Sequence, residues 1–198
     1  MPALLVGCAM REVYRDRWVV VVDKPSGMPS QAGRDGRPGV FEQLRAQNAY
    51  VGLHHRLDTP ASGLMVLTLD RQANAPMAQA FQQRTIQRTY AVWVLGRPGD
   101  GTWDAALDDQ AATTHFETLR AGRISALRVR LETGRTHQIR RHAALAGHPV
   151  IGDRRHGGAA GSLCPRLALH AEGLRFTHPV SGEPLELHSP APPPLDRL

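Results

Sequence analysis

The sequence predicts an α/β (α+β) protein with one domain, built on a mixed, largely antiparallel β-sheet flanked by helices and loops. Three observations carry that reading. Short β-branched and apolar runs recur along the chain, while apolar residues at helical spacing are confined to a few segments. Glycine and proline, 19 and 15 of 198 residues, exceed the ordinary share of about 12% without reaching the roughly 25–30% of low-complexity chains. A chain of this length buries about 70% of its unfolded surface, enough for one ordinary core. No internal repeat and no compositional break divides residues 1–198.

Residues 1–16 read as an N-terminal extension. Val19 to Val22 is β-branched and bounded by Asp23 and Pro25, which marks a buried strand running into the loop KPSGMPSQAGRDGRPG. Gly39 to Asn48 suits a short helix, and Leu64 to Leu69 a second buried strand after Ser62 and Gly63. From Arg71 to Arg84, Ala75, Ala78 and Phe81, with Met77 beside them, recur at helical spacing. Thr89 to Leu95, Thr114 to Arg120, Ile124 to Leu131, Leu167 to Phe176 and Leu185 to His188 supply the remaining strands. Between them, Thr136 is a good N-cap for a helix in which Ile139, Ala143 and Ala146 share a face and Gly147, His148 and Pro149 end it. Arg140 falls about 100° from Ile139, at the margin of the buried stripe, where it can point into a cleft. The tail SPAPPPLDRL, residues 189–198, is too proline-rich for a sheet and is expected to lie extended.

Composition narrows the function classes. There are 24 basic and 18 acidic residues, a net charge of +6 and a pI near 10.3. The basic residues are arginine with one exception, Lys24. Arginine's planar fork of donors suits phosphate and base edges, so the charge is consistent with nucleic acid. GC-rich codon usage alone also favours arginine over lysine, and the positive charge stands under either account. Cys8 and Cys164 are the only cysteines, which excludes a disulfide framework and a cysteine zinc site. Residues 3–10 lack a preceding basic segment and Trp18 to Val22 is short, so neither a signal peptide nor a membrane span is predicted and the cytoplasm is the expected compartment.

Two segments concentrate chemistry. In LHHRLDTPASGLMVLTL, His55, Arg56 and Asp58 precede the turn formers Thr59 to Gly63, so the Asp58 carboxylate belongs where backbone approaches a ligand closely. An aspartate that caps a turn and pairs with an arginine is the competing reading. In LETGRTHQIRRHAALAGHPVIG, Thr133, Arg135, Thr136 and Gln138 lie at a helix start, where free N–H groups favour anions.

Taken together, HRLD followed by SGL, Tyr90 in a strand, TGRTHQIR and GHPVIGD resemble the RluA-type family of RNA pseudouridine synthases. KPSG at Lys24 to Gly27 and RLALHAEGLRFTHPVSGEPLEL at Arg166 to Leu187 extend the resemblance over nearly the whole chain. The resemblance implies the pseudouridine synthase fold and an enzyme that isomerises chosen uridines of ribosomal or transfer RNA without cofactor or metal. It implies Asp58 as nucleophile, Tyr90 as the aromatic on the uracil and Arg140 as the basic partner of Asp58. Arg56 would help extrude the target nucleotide, with His55, Lys24, Arg135, Thr136 and Gln138 as further substrate-binding residues. RNA is the implied partner, with no membrane and no obligate protein partner, the chain acting as a monomer.

The residue types make chemical sense from below. Breaking a glycosidic bond develops positive charge on the sugar, which an ionised carboxylate beside C1′ stabilises or traps. That carboxylate must stay charged when RNA closes over it, which calls for an arginine within about 4 to 6 Å. A tyrosine offers a π face for the base and a hydroxyl for polar contact. The chain departs from the family pattern at Ala61, where threonine is expected, and at Arg88, where lysine is common. With KPSG at residue 24, an additional N-terminal RNA-binding domain is not expected, and target selection falls to the catalytic domain.

Other readings are kept beside this one. A catalytically silent RNA-binding or RNA-folding protein on the same scaffold is the alternative, and Asp58, Tyr90 and Arg140 all being present argue against it. A glycosidase would need a second carboxylate, and Asp153 in GHPVIGD reads as structural. Ten histidines raise a metal site, but His54 and His55 would face opposite sides of a strand, and His137 and His142 are five apart. HGGAAGS, His156 to Ser162, lacks the phosphate-loop pattern and reads as a flexible loop that RNA could order. Trp18, Trp93 and Trp103 read as core.

Overall fold

The computed structural model describes residues 10–195 except 34 and 194. Cys8 and nearly all of the apolar run at residues 3–10 lie outside the described residues. The strands are β1 (Arg11–Arg15), β2 (Val19–Lys24), β3 (Gly52–Leu53), β4 (Ser62–Thr68), β5 (Gln87–Leu95), β6 (Gly101–Trp103), β7 (Thr114–Arg120), β8 (Ile124–Leu131), β9 (Leu169–Thr177) and β10 (Pro184–His188). The helices are α1 (Val40–Arg45), α2 (Arg71–Gln82) and α3 (Gln138–Leu145).

One sheet runs β1-β2-β4-β9-β5-β8-β7-β6, with β10 paired to β9 and β3 to β4. Every pairing is antiparallel except β4 with β9, where Ser62 meets His170 and Gly63 meets Ala171. That junction is tight: Gly63 has φ +114°, and a Cβ there would lie 2.3 Å from the Ala171 carbonyl oxygen. Only glycine fits both the conformation and the approach.

Both faces of the sheet centre are covered, which explains the unbroken Val19–Val22 run. Val19 and Val21 pack with Leu64, Val66 and the α2 residues Ala73 and Met77. Val20 and Val22 pack on the other face with Met65, Leu67, Val40 and Leu44 of α1, and Ile139 and Ala143 of α3. Asp70 caps α2 by accepting from the Gln72 N–H at 2.8 Å. Trp93 is buried, while Trp18 and Trp103 pack partly buried against the two core clusters.

The structure departs from the sequence reading at several points. Part of the supposed extension, Arg11–Arg15, is strand β1 on the edge next to β2; its mixed polar sequence carries no apolar run to announce it. The N-cap of α3 is His137, in a left-handed conformation at φ 53°, ψ 30°, and not Thr136. Ala146 is the exposed C-cap beyond the last turn, and His142 takes its place among the buried residues of α3. His54 and His55 follow β3 in irregular chain, so strand alternation does not separate them, and both rings stack on Phe81, at 6.1 and 4.9 Å. HGGAAGS is not a featureless loop: Gly158–Ser162 form a 3-10 helix, and a Cβ at Gly157 would lie 2.4 Å from the Asp153 carbonyl oxygen. Residues 189–192 of the tail form no regular element, and the chain then turns so that Leu195 is fully buried in the core.

Candidate active site

The loop between β3 and β4 is braced from the N-terminal side of the chain. Lys24, at the end of β2, turns its ammonium inward to four carbonyl oxygens, those of Pro25, Met28, Thr59 and Ala61. Ser30 brackets Leu57, donating to its carbonyl at 2.7 Å and accepting from its N–H at 2.9 Å. Gly27 N–H donates to Thr59 O, and Ser26 Oγ to Pro60 O. The segment KPSGMPS therefore clamps the backbone on both sides of Asp58.

Lys24 is fully buried and lies outside the cleft lining, so the structure does not place it against a substrate. Burial, reinforced by the Arg166 guanidinium, pushes its amine down to about 7. Spacing could not show this, because a lysine beside a Pro-Ser-Gly turn looks solvent-facing until the turn folds over it.

Asp58 and α3 meet across 82 positions of chain. Asp58 Oδ2 accepts from Arg140 Nη1 at 2.8 Å. Arg140 is 4% exposed, and its remaining nitrogens are taken by Asp153: Nε donates to Oδ2 and Nη2 to Oδ1, each at 2.8 Å. Such a bidentate, charge-assisted pair fixes the guanidinium plane. Burial opposes the Arg140 charge, but the Asp153 and Asp58 carboxylates outweigh it and raise its pKa above the ordinary arginine value. Asp153 Oδ1 also accepts from the N–H groups of Arg155 and His156. Burial works against the Asp153 charge, and the Arg140 bonds with these two N–H donors hold its carboxyl below the usual range. The aspartate of GHPVIGD thus has a structural role as expected, but one exercised inside the site.

These groups open on a cleft of about 820 Å³ lined by residues from β4, α2, β5, the β8–α3 segment and β9. That volume lies in the roughly 300–1,000 Å³ range of small-molecule sites. Asp58, Tyr90 and Arg140 all line it. Tyr90 sits mid-strand in β5, 5% exposed, between Val129 and Ala171 on the neighbouring strands. Ala61 lines the cleft without the hydroxyl expected there.

Of the expected substrate-binding residues, Arg56 and Thr136 are exposed in the lining, and Arg135 lies there with its Nε donating to Ala111 O at 3.2 Å. Gln138 reaches the lining, but its amide is consumed by the protein: Oε1 accepts from Thr133 Oγ and Arg135 N–H, and Nε2 donates to Thr113 O and Thr114 Oγ. It stitches the TGRT segment to β7, and no donor is left to assign to RNA. His55 is a wall residue whose Nε2 accepts from the Val66 N–H at 3.1 Å. Arg84 and Arg88 also line the cleft. Among the described residues, none of Arg56, Arg84, Arg88 and Arg135 has an acidic partner within the 4.0 Å of an ion pair.

Burial, with smaller contributions from Arg88 and His54, lowers His55 to about 3. An unfolded histidine titrates near 6.5, so between pH 6.5 and 3 the unfolded chain binds the extra proton and acid withdraws stability. His55→Gln is expected to shrink the loss of unfolding free energy between pH 7 and 4.5 by about 2 to 3 kcal/mol, measured by denaturant titration at each pH. An unchanged pH difference would remove His55 from the cause of acid sensitivity.

Residues 18–145 match the family model described as RNA pseudouridylate synthase. The chain is 35% identical over 201 residues to the dual-specificity RNA pseudouridine synthase RluA of Haemophilus ducreyi, covering 88% of this chain and 90% of that one. This chain belongs to the RluA-type RNA pseudouridine synthases. The synthase is also 36% identical over 224 residues to the ribosomal large subunit pseudouridine synthase D of Xanthomonas campestris, covering 94% of this chain and 67% of the relative. Human RNA pseudouridylate synthase domain containing 1, 25% identical, superposes on the synthase with a TM-score of 0.75 and covers 96% of it and 87% of the human chain. The expected mixed-sheet fold agrees with this likeness.

Proposed function

We propose that the synthase converts uridines of ribosomal or transfer RNA to pseudouridine, with Asp58, Tyr90 and Arg140 as its catalytic residues. One observation carries the assignment of roles: Asp58, with one oxygen bound to a buried, doubly anchored arginine, lines the same cleft as Tyr90. The carboxylate acts at the sugar while the C1′–N1 bond breaks. The freed uracil turns against the Tyr90 ring, C5 bonds to C1′, the proton on C5 is released, and N1, which kept the electron pair of the broken bond, takes up a proton. Arg140 keeps the carboxylate aimed without itself needing to move. Arg56, Arg84, Arg88 and Arg135 surround the entrance, where cations offset the cost of taking a nucleotide out of its stack, a few kcal/mol.

The choice of RNA rests on relatives whose names specify the ribosomal large subunit, dual-specificity RNA and, for a Pectobacterium carotovorum protein 34% identical over 226 residues, tRNA. The proposal includes action as a monomer, because Asp58, Tyr90 and Arg140 of a single chain already meet at one cleft. Mapping pseudouridines in total RNA from cells with and without the gene tests it. One or more uridines of ribosomal or transfer RNA should lose the modification, and identical maps would reject the assignment.

A further inference from the structure

The HGGAAGS segment and the left-handed residue that opens α3 meet at the catalytic carboxylate. His137 adopts φ 53°, ψ 30°, a conformation that costs a side-chain-bearing residue roughly 1 kcal/mol or more and persists where surrounding structure demands it. Its effect is to turn the imidazole inward. His137 Nε2 lies 3.8 Å from Asp58 Oδ1, the oxygen that Arg140 leaves open. Its Nδ1 lies 2.9 Å from His156 Nε2, with the two rings edge-to-face at 5.2 Å and 71°. His156 is held in turn through its own N–H on Asp153 Oδ1 at 3.1 Å. Asp153 therefore anchors two things at once, the arginine behind Asp58 and the histidine behind His137.

The proton arrangement follows from the neighbours. Burial lowers the His137 pKa, with Asp58 opposing and Arg140, His156 and Arg155 adding to the effect, which favours the neutral ring. A single proton must bridge the two imidazoles. If His137 supplied it, a nitrogen lone pair would face the Asp58 carboxylate, which is repulsive. With His156 as donor, His137 carries its proton on Nε2 and presents an N–H towards the cleft beside Asp58. At 3.8 Å that N–H is too far from the carboxylate for a hydrogen bond of its own. It is left with a donor to satisfy, next to the place where C1′ of the target must lie.

We propose that His137, held by His156, donates a hydrogen bond to the 2′-hydroxyl of the flipped ribose and so selects ribonucleotide targets. The hydroxyl oxygen is two bonds from C1′, and a donor 3.8 Å from the attacking oxygen reaches it when C1′ is in place. The 2′-hydroxyl is the group by which a protein tells RNA from DNA. This inference rests on the reading of Asp58 as the group that acts at C1′. His156 is a positioning residue, acting only through the tautomer and angle of His137.

The test uses the full chain and an RNA hairpin reproducing a uridine mapped as above, with uridine or 2′-deoxyuridine at that position. His137→Asn keeps a residue that tolerates the left-handed conformation but is too short to reach the sugar. On the ribose target it should lower kcat/KM by about 10- to 100-fold, the range for a lost contact that leaves a polar partner unpaired. Replacing the target by 2′-deoxyuridine should lower kcat/KM of the parent enzyme by a similar factor. The same replacement should change the His137→Asn enzyme less than about threefold, because the contact is already gone. His156→Ala should give a smaller loss and a response to 2′-deoxyuridine between those of the parent and His137→Asn enzymes. Losses that multiply in the His137→Asn enzyme would overturn the 2′-hydroxyl contact while leaving the Asp58 assignment intact. Absence of turnover by the parent enzyme on the ribose hairpin would overturn both.

Discussion

Asp58→Asn is expected to reduce pseudouridine formation by about 10⁴-fold or more, the scale of removing a nucleophile from an otherwise intact site. The substitution keeps the shape and a hydrogen-bond acceptor for Arg140 Nη1, and Arg140 stays neutralised by Asp153 at 2.8 Å. Folding should therefore be nearly unaffected, which separates this variant from one that merely unfolds. Tritium released from RNA labelled at uracil C5 measures turnover directly, because the C5 proton leaves when the new carbon–carbon bond forms. RNA affinity should remain within a few-fold of the parent, since the cations at the cleft entrance are untouched. Turnover persisting at the parent rate would sink the assignment, whatever the family.

The second large effect concerns Arg140, where stability and catalysis can be pulled apart. Arg140→Met removes the partner of an Asp153 side chain that is wholly shielded from solvent. Breaking a buried pair from one side costs about 3 to 5 kcal/mol, because a charge is left uncompensated. For a domain of this size that is a fall in Tm of roughly 6 to 20 °C. Activity should fall by about a hundredfold or more, because the Asp58 oxygen loses its anchor. Adding Asp153→Leu removes the orphaned carboxylate and should recover part of the Tm. Recovery is only partial, since Asp153 also accepts from Arg155 and His156. Activity should not return in the double variant. If it returned together with stability, Arg140 would be no more than scaffolding.

Much of the fold was legible because its central strands are extreme. Val19–Val22 and Leu64–Leu67 are buried on both faces, so burial and sequence pattern coincide. The edge was not: REVYR carries no apolar or alternating run of its own, and of its residues Val13 and Tyr14 pack, partly buried, against the core. At the site, HRLD, Tyr90 and QIR pointed to residues that the structure brings to one cleft. What sequence reasoning missed is the machinery behind them. Lys24 and Gln138 are polar residues spent on carbonyls and amides of their own chain, and only the folded loop shows where their donors go. His137 comes from one stretch and Asp153 with His156 from another, and their meeting depends on a left-handed residue and the turn that leads into a 3-10 helix. Neither leaves a periodic signal. The glycines of HGGAAGS could have suggested close backbone packing instead of looseness, since glycine serves both.

The one parallel pairing in the sheet has a consequence for how activity is acquired. Ser62 and His170 lie 108 positions apart and hydrogen-bond at 2.8 Å where β4 meets β9. That seam brings the early and late parts of the chain together, and its residues Ser62 and Ala171 line the cleft where the acid meets its guanidinium partner. Closing so long a loop precedes any reward from the contacts it makes, which slows folding. No nascent or clipped fragment ending before β9 would hold the seam, so catalytic competence should arrive as the last event of refolding, in step with the final cooperative phase.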